Sequence, residues 1–235
     1  MDTTRIAELL QPFLGSAADQ RLTPNDLLYI STYIDLLLRW NARINLTAVR
    51  QPVEIVTRHF GESLFAARHL FPARTTLAQL PEPALSEVEG AVQAEQSSAS
   101  TRLIDIGSGA GFPGLPIRIW APDIKLTLIE STQKRATFLR EVTRNLTLTN
   151  INVFVGRAEA YPNSLADVVT LRAVEHFETI LPIAARLVAP GGRLALLIGK
   201  AQLTQAHNLA PKLVWPPDIP IPLSASRVLS IGVSR

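Results

Sequence analysis

Cysteine is absent from this chain of 235 residues. Its absence excludes disulfide bonds, zinc sites built on thiolates and every mechanism that needs a thiolate nucleophile. Long apolar runs are missing as well: the stretch at 194–198 is far shorter than the roughly 18 residues that suggest a membrane-spanning helix. Residues 1–20 lack the pattern of a signal peptide. We therefore expect a globular, cytoplasmic protein without a membrane partner.

Charged residues are also few, at 18% of the chain, and the net charge is only +3. Residues 75–101 contain no Lys or Arg but four acidic residues, Glu82, Glu87, Glu89 and Glu95. Removing these four from the 20 acidic residues leaves 16 against 23 basic ones. Such a basic excess suits a polyanionic partner such as RNA, although many soluble enzymes without a nucleic-acid role carry as much.

Residues 1–77 are predicted to form a helical cap. Thr23 suits an N-cap, Pro24 suits the first helical position, and Asp26 completes a capping-box-like spacing. Apolar residues then recur every three or four positions, and a second helix is expected at about 54–70. No strand pattern interrupts this part of the chain.

Residues 78–101 are rich in Ala, Ser, Glu and Gln and have no aromatic residue, so we predict a flexible acidic insert. The remainder, 102–235, alternates strands and helices, which predicts parallel pairing through right-handed crossovers. The fold expected is a Rossmann-like, doubly wound, mostly parallel α/β sheet that forms one compact unit with the cap. Strands are expected at 102–106, 125–129, 151–155, 167–171 and 193–198, helices at 133–145 and 175–188, and an added edge strand at 228–233.

A glycine-rich loop follows the first expected strand and enters a helix. Gly107, Gly109 and Gly111 allow positive φ and let backbone N–H groups approach a ligand, at the sheet edge where open α/β sheets bind. Gly109, Gly111 and Gly114 also spell GxGxxG, so a nicotinamide-dependent dehydrogenase has to be considered. That match alone is weak.

Asp105, inside the first strand, distinguishes the two cofactor classes. The pattern hydrophobic-Asp-hydrophobic-Gly-Ser-Gly-x-Gly resembles the first motif of S-adenosylmethionine-dependent methyltransferases, whereas nicotinamide-binding strands usually have no acid there. Glu130 ends the second strand, 23 residues after Gly107, where a carboxylate can accept hydrogen bonds from both ribose hydroxyls. The alternative interpretation of Glu130 is a solvated acid at a strand end.

Two later turns complete the candidate site. Ala158 and Glu159 follow the third strand, where such folds often place residues that flank the adenine, although a surface loop is an equally good interpretation. Arg172 closes the fourth strand and would face the cofactor carboxylate or acceptor phosphates, unless it is a surface ion-pair partner. We name Arg172 as the catalytic candidate.

The fourth strand also narrows the methyl acceptor. It lacks the Asn or Asp with two prolines and an aromatic residue that commonly receives an exocyclic amine. Methylation of cytosine carbon 5 would need the missing cysteine. Ring nitrogen 7 of guanine already carries a free lone pair, so it needs orientation in line with the methyl sulfonium and no general base.

Further motifs point to one family. The residues at 40–50, 58–64, 105–116 and 134–139 resemble the bacterial glucose-inhibited-division B family, small-subunit ribosomal RNA methyltransferases that act on ring nitrogen 7 of guanine. The Gly-Phe-Pro-Gly-x-Pro extension at 111–116 is the most specific of these motifs. The resemblance spans most of the chain and implies S-adenosyl-L-methionine as cofactor and 16S rRNA, or the small ribosomal subunit, as partner.

The resemblance also implies residue roles. The implied cofactor contacts are Gly107, Phe112, Ala158, Glu159 and Arg172. The implied border of the RNA cleft includes Asn45, Arg58 and His59. Lys134 and Arg135 are further RNA candidates, on a helix whose basic residues form either a phosphate-tracking stripe or a solvated face. Lys200 is included as well, although it follows Gly199 where the family tends to have a lysine before the glycine.

Other readings of the sequence stay open. Glu62 stands where the family more often has an aspartate, and residues 78–101 are longer than the usual connection. A small-molecule S-adenosylmethionine-dependent methyltransferase is the first alternative, and an NAD(P)-dependent oxidoreductase is the second. We expect a monomer. No metal site is predicted, because the four histidines lie at 59, 69, 176 and 207 without ligand spacing.

Overall fold

The computed structural model describes residues 1–15, 22–72, 100–162 and 164–235. Its N-terminal part is helical, with no strand among the described residues before position 102, as the sequence predicts. We call these elements together the helical layer. They are α1 (Thr3–Leu14), α2 (Pro24–Ile44), α3 (Pro52–Glu54), a π-helical segment (Ile55–Gly61) and α4 (Glu62–Leu70), the last three being continuous.

The start of α2 confirms the predicted capping box. The backbone N–H of Asp26 donates to Thr23 Oγ1 at 3.2 Å, and the Thr23 N–H donates to the Asp26 carboxylate at 2.7 Å. Pro24 occupies the first turn, where its missing N–H costs nothing. The helix ends at Asn45, whose φ of 49° is a left-handed conformation that asparagine tolerates better than most residues.

The described strands form one sheet in the order β3-β2-β1-β4-β5-β8-β6, with β7 also paired to β8. Strands β1 to β5 run parallel, and β8 runs antiparallel to β5. Their bounds are β1 Arg102–Ile106, β2 Lys125–Glu130, β3 Ile151–Val155, β4 Ala166–Arg172, β5 Val188–Gly199, β6 Leu213–Val214, β7 Ile219–Pro220 and β8 Arg227–Ser234. The predicted mostly parallel Rossmann-like sheet is thus confirmed. The strand expected at the edge is β8, but β6 and β7 both pair with it, so it is not itself the edge strand.

Successive residues of the central strands enter two different cores. In β1, Leu103 belongs to the core beneath the helical layer, α5 (Gly114–Trp120) and α6 (Gln133–Asn145), while Ile104 belongs to the core beneath α7 (Phe177–Arg186) and α8 (Leu203–Leu209). This alternation follows from the two-residue period of a strand. Because the helical layer and the sheet contribute to the same first core, their relative position is set by buried apolar contacts.

Two sequence expectations need comment. The helix expected at 175–188 is shorter, because His176 adopts a positive φ of 54° before α7 begins and Val188 already belongs to β5. The predicted insert, 78–101, lies outside the described residues except for its last two positions, as do positions 73–77 of the predicted cap. Within the described ranges, no helix is long and apolar enough to cross a membrane.

Gly61 allows α1 to pack directly on the π-helical segment. A Cβ at Gly61 would lie 2.6 to 2.8 Å from three ring atoms of Phe13, a side chain that is only 1% exposed. Real Cβ atoms do not approach a ring so closely, and the ring has no space into which it can turn. Glycine is therefore required at this position for α1 to remain docked.

We expect Gly61→Ala to lower the free energy of unfolding by about 1–3 kcal/mol, because the added methyl group overpacks the contact with Phe13. Urea denaturation followed by circular dichroism measures the loss. In the Gly61→Ala background, Phe13→Leu should cost less than it does alone, since the smaller side chain relieves the collision.

Gly199→Ala is the matched control for this substitution. A Cβ there would meet only ordinary contacts at 3.7 and 3.9 Å, and the backbone φ of −75° suits any residue. We expect its effect to stay within about 0.5 kcal/mol. Equal free energies of unfolding for the two alanine variants would contradict the predicted overpacking between position 61 and Phe13.

Candidate functional site at the carboxyl edge of the sheet

A cavity of about 640 Å³ opens at the carboxyl ends of β1, β2 and β4. Strand order reverses at β1, which pairs with β2 on one side and β4 on the other, and open α/β sheets bind ligands in that crevice. The sheet side of the cavity consists of the glycine loop after β1 and the turns after β2, β3 and β4. The opposite wall comes from the helical layer and the loop that follows α2, through Leu46, Thr47 and His59.

The glycine loop is fixed to the neighbouring strand. Its three glycines, Gly107, Gly109 and Gly111, have φ values of 68°, 54° and 87°. The N–H groups of Gly107 and Ser108 both donate to the Ile129 carbonyl, at 2.9 and 3.1 Å. At Gly111 a Cβ would also collide with the Tyr33 hydroxyl, so the glycine is needed for the approach of α2 as well as for the turn.

Glu130 holds the loop from the side and lines the cavity. Its carboxylate accepts one hydrogen bond from the Gly109 N–H at 2.9 Å and another from the Thr132 N–H at 2.7 Å, and the residue is only 3% exposed. A carboxylate offers about four acceptor sites. Within the part of the chain that the structure describes, two acceptor sites of Glu130 therefore remain.

Asp105 supports the loop from below. It is fully buried, its Oδ1 accepts from the Thr170 hydroxyl at 2.7 Å, and its Oδ2 accepts from the Gly114 N–H at 3.2 Å. Burial raises its pKa to about 6, while these hydrogen bonds act in the opposite direction. Asp105 therefore joins β1, β4 and the first turn of α5, and it does not line the cavity.

Arg172 leaves the end of β4 and is held by three groups of the helical layer. Its Nη2 donates to the Arg58 carbonyl at 2.8 Å and lies 3.1 Å from His59 Nδ1. Nε and Nη2 also donate to Glu62 Oε2, at 3.4 and 3.2 Å. Burial lowers the pKa of Arg172, and the Glu62 carboxylate opposes that shift. The guanidinium group is thus a fixed positive charge in the cavity wall.

His59 is neutral, and its tautomer follows from its partners. Arginine only donates, so Nδ1 accepts from Arg172 and the ring proton lies on Nε2, 2.8 Å from Thr47 Oγ1. Burial, followed by the charges of Arg172, Arg58 and Arg227, lowers the His59 pKa to about 3. Since both nitrogens are occupied, only the ring surface of His59 is available to a ligand.

Phe112 completes this wall as the centre of an aromatic stack. Its ring lies between Tyr33 and His59, with centroid distances of 5.4 and 4.8 Å and interplanar angles of 7° and 24°. Phe60 contacts the same ring edge-on at 5.1 Å. Stacked rings have a defined geometry, so the stack fixes the position of the helical layer against the glycine loop.

The structure brings most of the predicted cofactor residues together. Those that line the cavity are Gly107, Gly109, Phe112, Glu130, Ala158, Glu159 and Arg172. Asp105 lies beneath the loop, and neither Asp105 nor the loop residue Gly111 lines the cavity. Among the predicted RNA residues, His59 and Arg135 line the cavity, while the exposed side chains of Asn45, Arg58, Lys134 and Lys200 do not. The roles of all these residues stay predictions.

The sequence pattern missed several partners that the structure supplies. Thr170 lies opposite Asp105 in the β1–β4 register, and a polar residue inside an apolar strand was a visible signal for it. The sequence marks Glu62 only as a departure from a family pattern. Nothing local in the sequence marked Arg227, whose Nε lies 2.9 Å from Glu62 Oε1, because its position depends on the antiparallel β8.

Comparisons with known proteins identify the family of this chain. A family model described as "rRNA small subunit methyltransferase G" (GidB) matches residues 27–79 and 85–215. A Xanthomonas euvesicatoria protein named "Ribosomal RNA small subunit methyltransferase G" is 37% identical over 71% of this chain, and the match spans 66% of that relative, a little under two thirds of its length. A Streptococcus pyogenes protein of the same name is 32% identical over 85% of this chain and 79% of its own length.

Solved structures resemble the fold of the chain. The P. horikoshii TYW2 protein, crystallised in complex with MeSAdo, superposes with a TM-score of 0.50 at 16% sequence identity. The superposition covers 57% of each chain. At that identity the likeness concerns the fold alone.

His59 and Asp105 should make the free energy of unfolding depend on pH in opposite directions. The folded His59 takes up a proton only near its pKa of about 3, whereas the unfolded histidine does so below 6.5. Its contribution to the free energy of unfolding is therefore present above pH 6.5 and is lost as the pH falls towards 3. Wild type should lose stability relative to His59→Gln over that range, with a limiting slope of about 1.4 kcal/mol per pH unit.

Asp105→Asn provides the control of opposite sign. The folded Asp105 takes up a proton below about pH 6 and the unfolded one only below 3.8, so wild type should gain stability relative to Asp105→Asn as the pH falls between these values. Urea denaturation at each pH measures both differences. Parallel curves for wild type and His59→Gln would contradict the neutral, buried His59.

Proposed function

We propose a methyl-transfer function for this chain, which belongs to the GidB family of small-subunit ribosomal RNA methyltransferases. The methyl donor is S-adenosyl-L-methionine, and the acceptor is ring nitrogen 7 of a guanine in 16S rRNA. The observation that carries this proposal is the cavity at the point where the strand order reverses. Glu130, Arg172 and the glycine loop all line this one cavity. Family membership supplies the reaction class.

The polar and apolar groups that line the cavity suit S-adenosylmethionine. The two free acceptor sites of Glu130 match the two ribose hydroxyls, and Ile129 and Ala158 offer apolar surface beside it for the adenine. The glycine loop allows close approach of the methionine end, whose carboxylate can pair with Arg172. When bound, the cofactor supplies an electrophilic methyl group on a sulfonium.

The same residues suit an acceptor that needs no base. Methylation at ring nitrogen 7 uses a lone pair that is already free, and no proton leaves that atom. His59 cannot serve as a base while both of its nitrogens are engaged, and it remains neutral because its pKa is about 3. The chain therefore contributes orientation: Arg172 and the His59–Phe112 wall hold the two reactants in line.

The proposed partner is 16S rRNA or the small ribosomal subunit. Arg135 at the cavity and the exposed Lys134 give α6 positive charge beside the opening, and Arg58 adds another from the helical layer. Asn45 and Lys200 stay candidates for the same surface. We also propose that the cap and the sheet domain act as one unit, because their residues line a single cavity. A cytoplasmic monomer is part of the same proposal.

The assay for the proposed function uses the purified chain, methyl-labelled S-adenosylmethionine and either free 16S rRNA or small subunits. We expect label in 7-methylguanosine after nucleoside digestion and mass spectrometry, and no label when RNA is omitted. Methylation of a metabolite without RNA would support the small-molecule alternative instead. Calorimetric binding of NAD(P) with no binding of S-adenosylhomocysteine would overturn the methyltransferase proposal.

Glu130→Gln should weaken binding of S-adenosylhomocysteine. The amide cannot accept from both Gly109 and Thr132 while also receiving ribose hydroxyls, and a lost hydrogen bond to a charged group costs about 1.5–3 kcal/mol, or roughly tenfold or more in Kd. Titration calorimetry measures the change. Glu141→Gln, on α6 and outside the cavity lining, is the control and should bind as wild type does; unchanged affinity of Glu130→Gln would remove Glu130 from the proposed site.

A further inference from the structure

The orientation of Arg172 is determined by residues far away in sequence. The Arg58 carbonyl, His59 Nδ1 and Glu62 Oε2 all accept from its Nε and Nη2 atoms. Among the described residues, Nη1 has no hydrogen-bond partner, and Arg172 lines the cavity. One edge of the planar guanidinium is therefore held by the helical layer, which leaves Nη1 for the ligand.

Glu62 is the charged member of this set. The Arg58 carbonyl and the His59 ring are neutral acceptors, so neither compensates the guanidinium charge. The Glu62 side chain is 4% exposed and that of Arg172 is 10% exposed, so water screens their attraction little. Of the three acceptors, Glu62 therefore contributes most to holding Arg172 in place.

A second arginine shares the same carboxylate. Arg227, at the start of β8, lies with Nε 2.9 Å from Glu62 Oε1, and its Nη2 donates to the Leu197 carbonyl at 3.1 Å. Arg172 and Arg227 also line one small space of about 50 Å³. Without the Glu62 charge, the two guanidinium groups would repel each other there, and this repulsion would act against the position that Arg172 holds.

Glu62 directly follows the π-helical segment, three residues after His59. The segment ends at Gly61, and the Glu62 N–H donates to the His59 carbonyl, to which Ser63 Oγ also donates at 2.6 Å. His59 and Glu62 therefore face the end of β4 together. Residues three apart share one face of a helix, so a ring nitrogen and a carboxylate are presented to the same guanidinium.

We infer that Glu62 is a positioning residue for methyl transfer, which acts by fixing the guanidinium group of Arg172 against the cavity. This inference rests on the proposed function, since it assigns Arg172 to the binding of cofactor or acceptor. Glu62 itself touches neither reactant. Glu62 affects turnover only by positioning Arg172. Kinetics in an Arg172→Ala background can therefore distinguish this role from a general contribution to stability.

The test compares Glu62→Gln, Glu62→Asp, Arg172→Ala and the double variant Glu62→Gln/Arg172→Ala. Asp167→Asn is the matched control, because it is also an acid-to-amide change. It lies on β4 at the end of the strand opposite to Arg172, where Asp167 accepts from the Arg102 N–H. For each variant we measure kcat and KM with 16S rRNA or small subunits, the Kd of S-adenosylhomocysteine, and the nitrogen NMR shift of His59 Nδ1. Thermal unfolding shows that each variant is folded at the assay temperature.

We expect Glu62→Gln to lower kcat/KM by roughly tenfold to a hundredfold, the loss typical of a misplaced catalytic group. Glu62→Asp should recover part of that loss, since it restores the charge. In the Arg172→Ala background, Glu62→Gln should have little further effect, because the group that it positions is gone. Losses that multiply in the double variant would overturn the inference, as would a Glu62→Gln enzyme with wild-type kinetics.

The His59 signal keeps the two proposals distinguishable. It should move in Glu62→Gln and Arg172→Ala and stay unchanged in Asp167→Asn, whether or not the chain methylates RNA. A wild-type chain that neither binds S-adenosylhomocysteine nor methylates RNA would overturn the proposed function. An unmoved His59 signal in Glu62→Gln, in an active enzyme, would overturn the positioning role alone.

Discussion

The Glu62 carboxylate lies between Arg172 and Arg227 and joins the helical layer to the ends of β4 and β8. Buried ion pairs of this kind contribute little net stability, because the loss of hydration offsets the attraction. Removing one partner is costly, however, since it leaves a buried charge uncompensated. The interaction therefore orients the Arg172 and Arg227 side chains where the two layers meet more than it strengthens the fold. The cavity exists where they meet.

A second buried carboxylate fixes the other side of that cavity. Asp105 pairs with Thr170 across adjacent strands and accepts from Gly114 at the start of α5, so the loop between them has a rigid base. Burial raises the pKa of Asp105, and the surrounding hydrogen-bond donors offset that rise only in part. Glu130 then holds Gly109 from the side. Two acids thus shape the glycine loop, and only Glu130 lines the cavity.

The proposed methyl transfer needs no general base from the chain. Transfer to ring nitrogen 7 releases no proton from that atom, so precise placement of two reactants is the main requirement. Three groups of the site are held in fixed positions. They are the aromatic stack on Phe112, the guanidinium of Arg172, which is held on one edge, and the neutral His59, whose two nitrogens are both engaged. None of these groups changes its charge near neutral pH.

The sequence by itself determined the parts that local patterns encode. The capping box at Thr23, the strand at 102–106 and the helix at 133–145 follow from periodicity and from residues a few positions apart, and the glycine loop with Glu130 follows from the spacing of a strand–turn–helix unit. Only the tertiary structure decided what surrounds Arg172. Its partners lie about 110 residues earlier in the chain and come into reach through a π-helical segment and a shared core, because contacts between distant elements depend on how the layers pack and leave no local pattern.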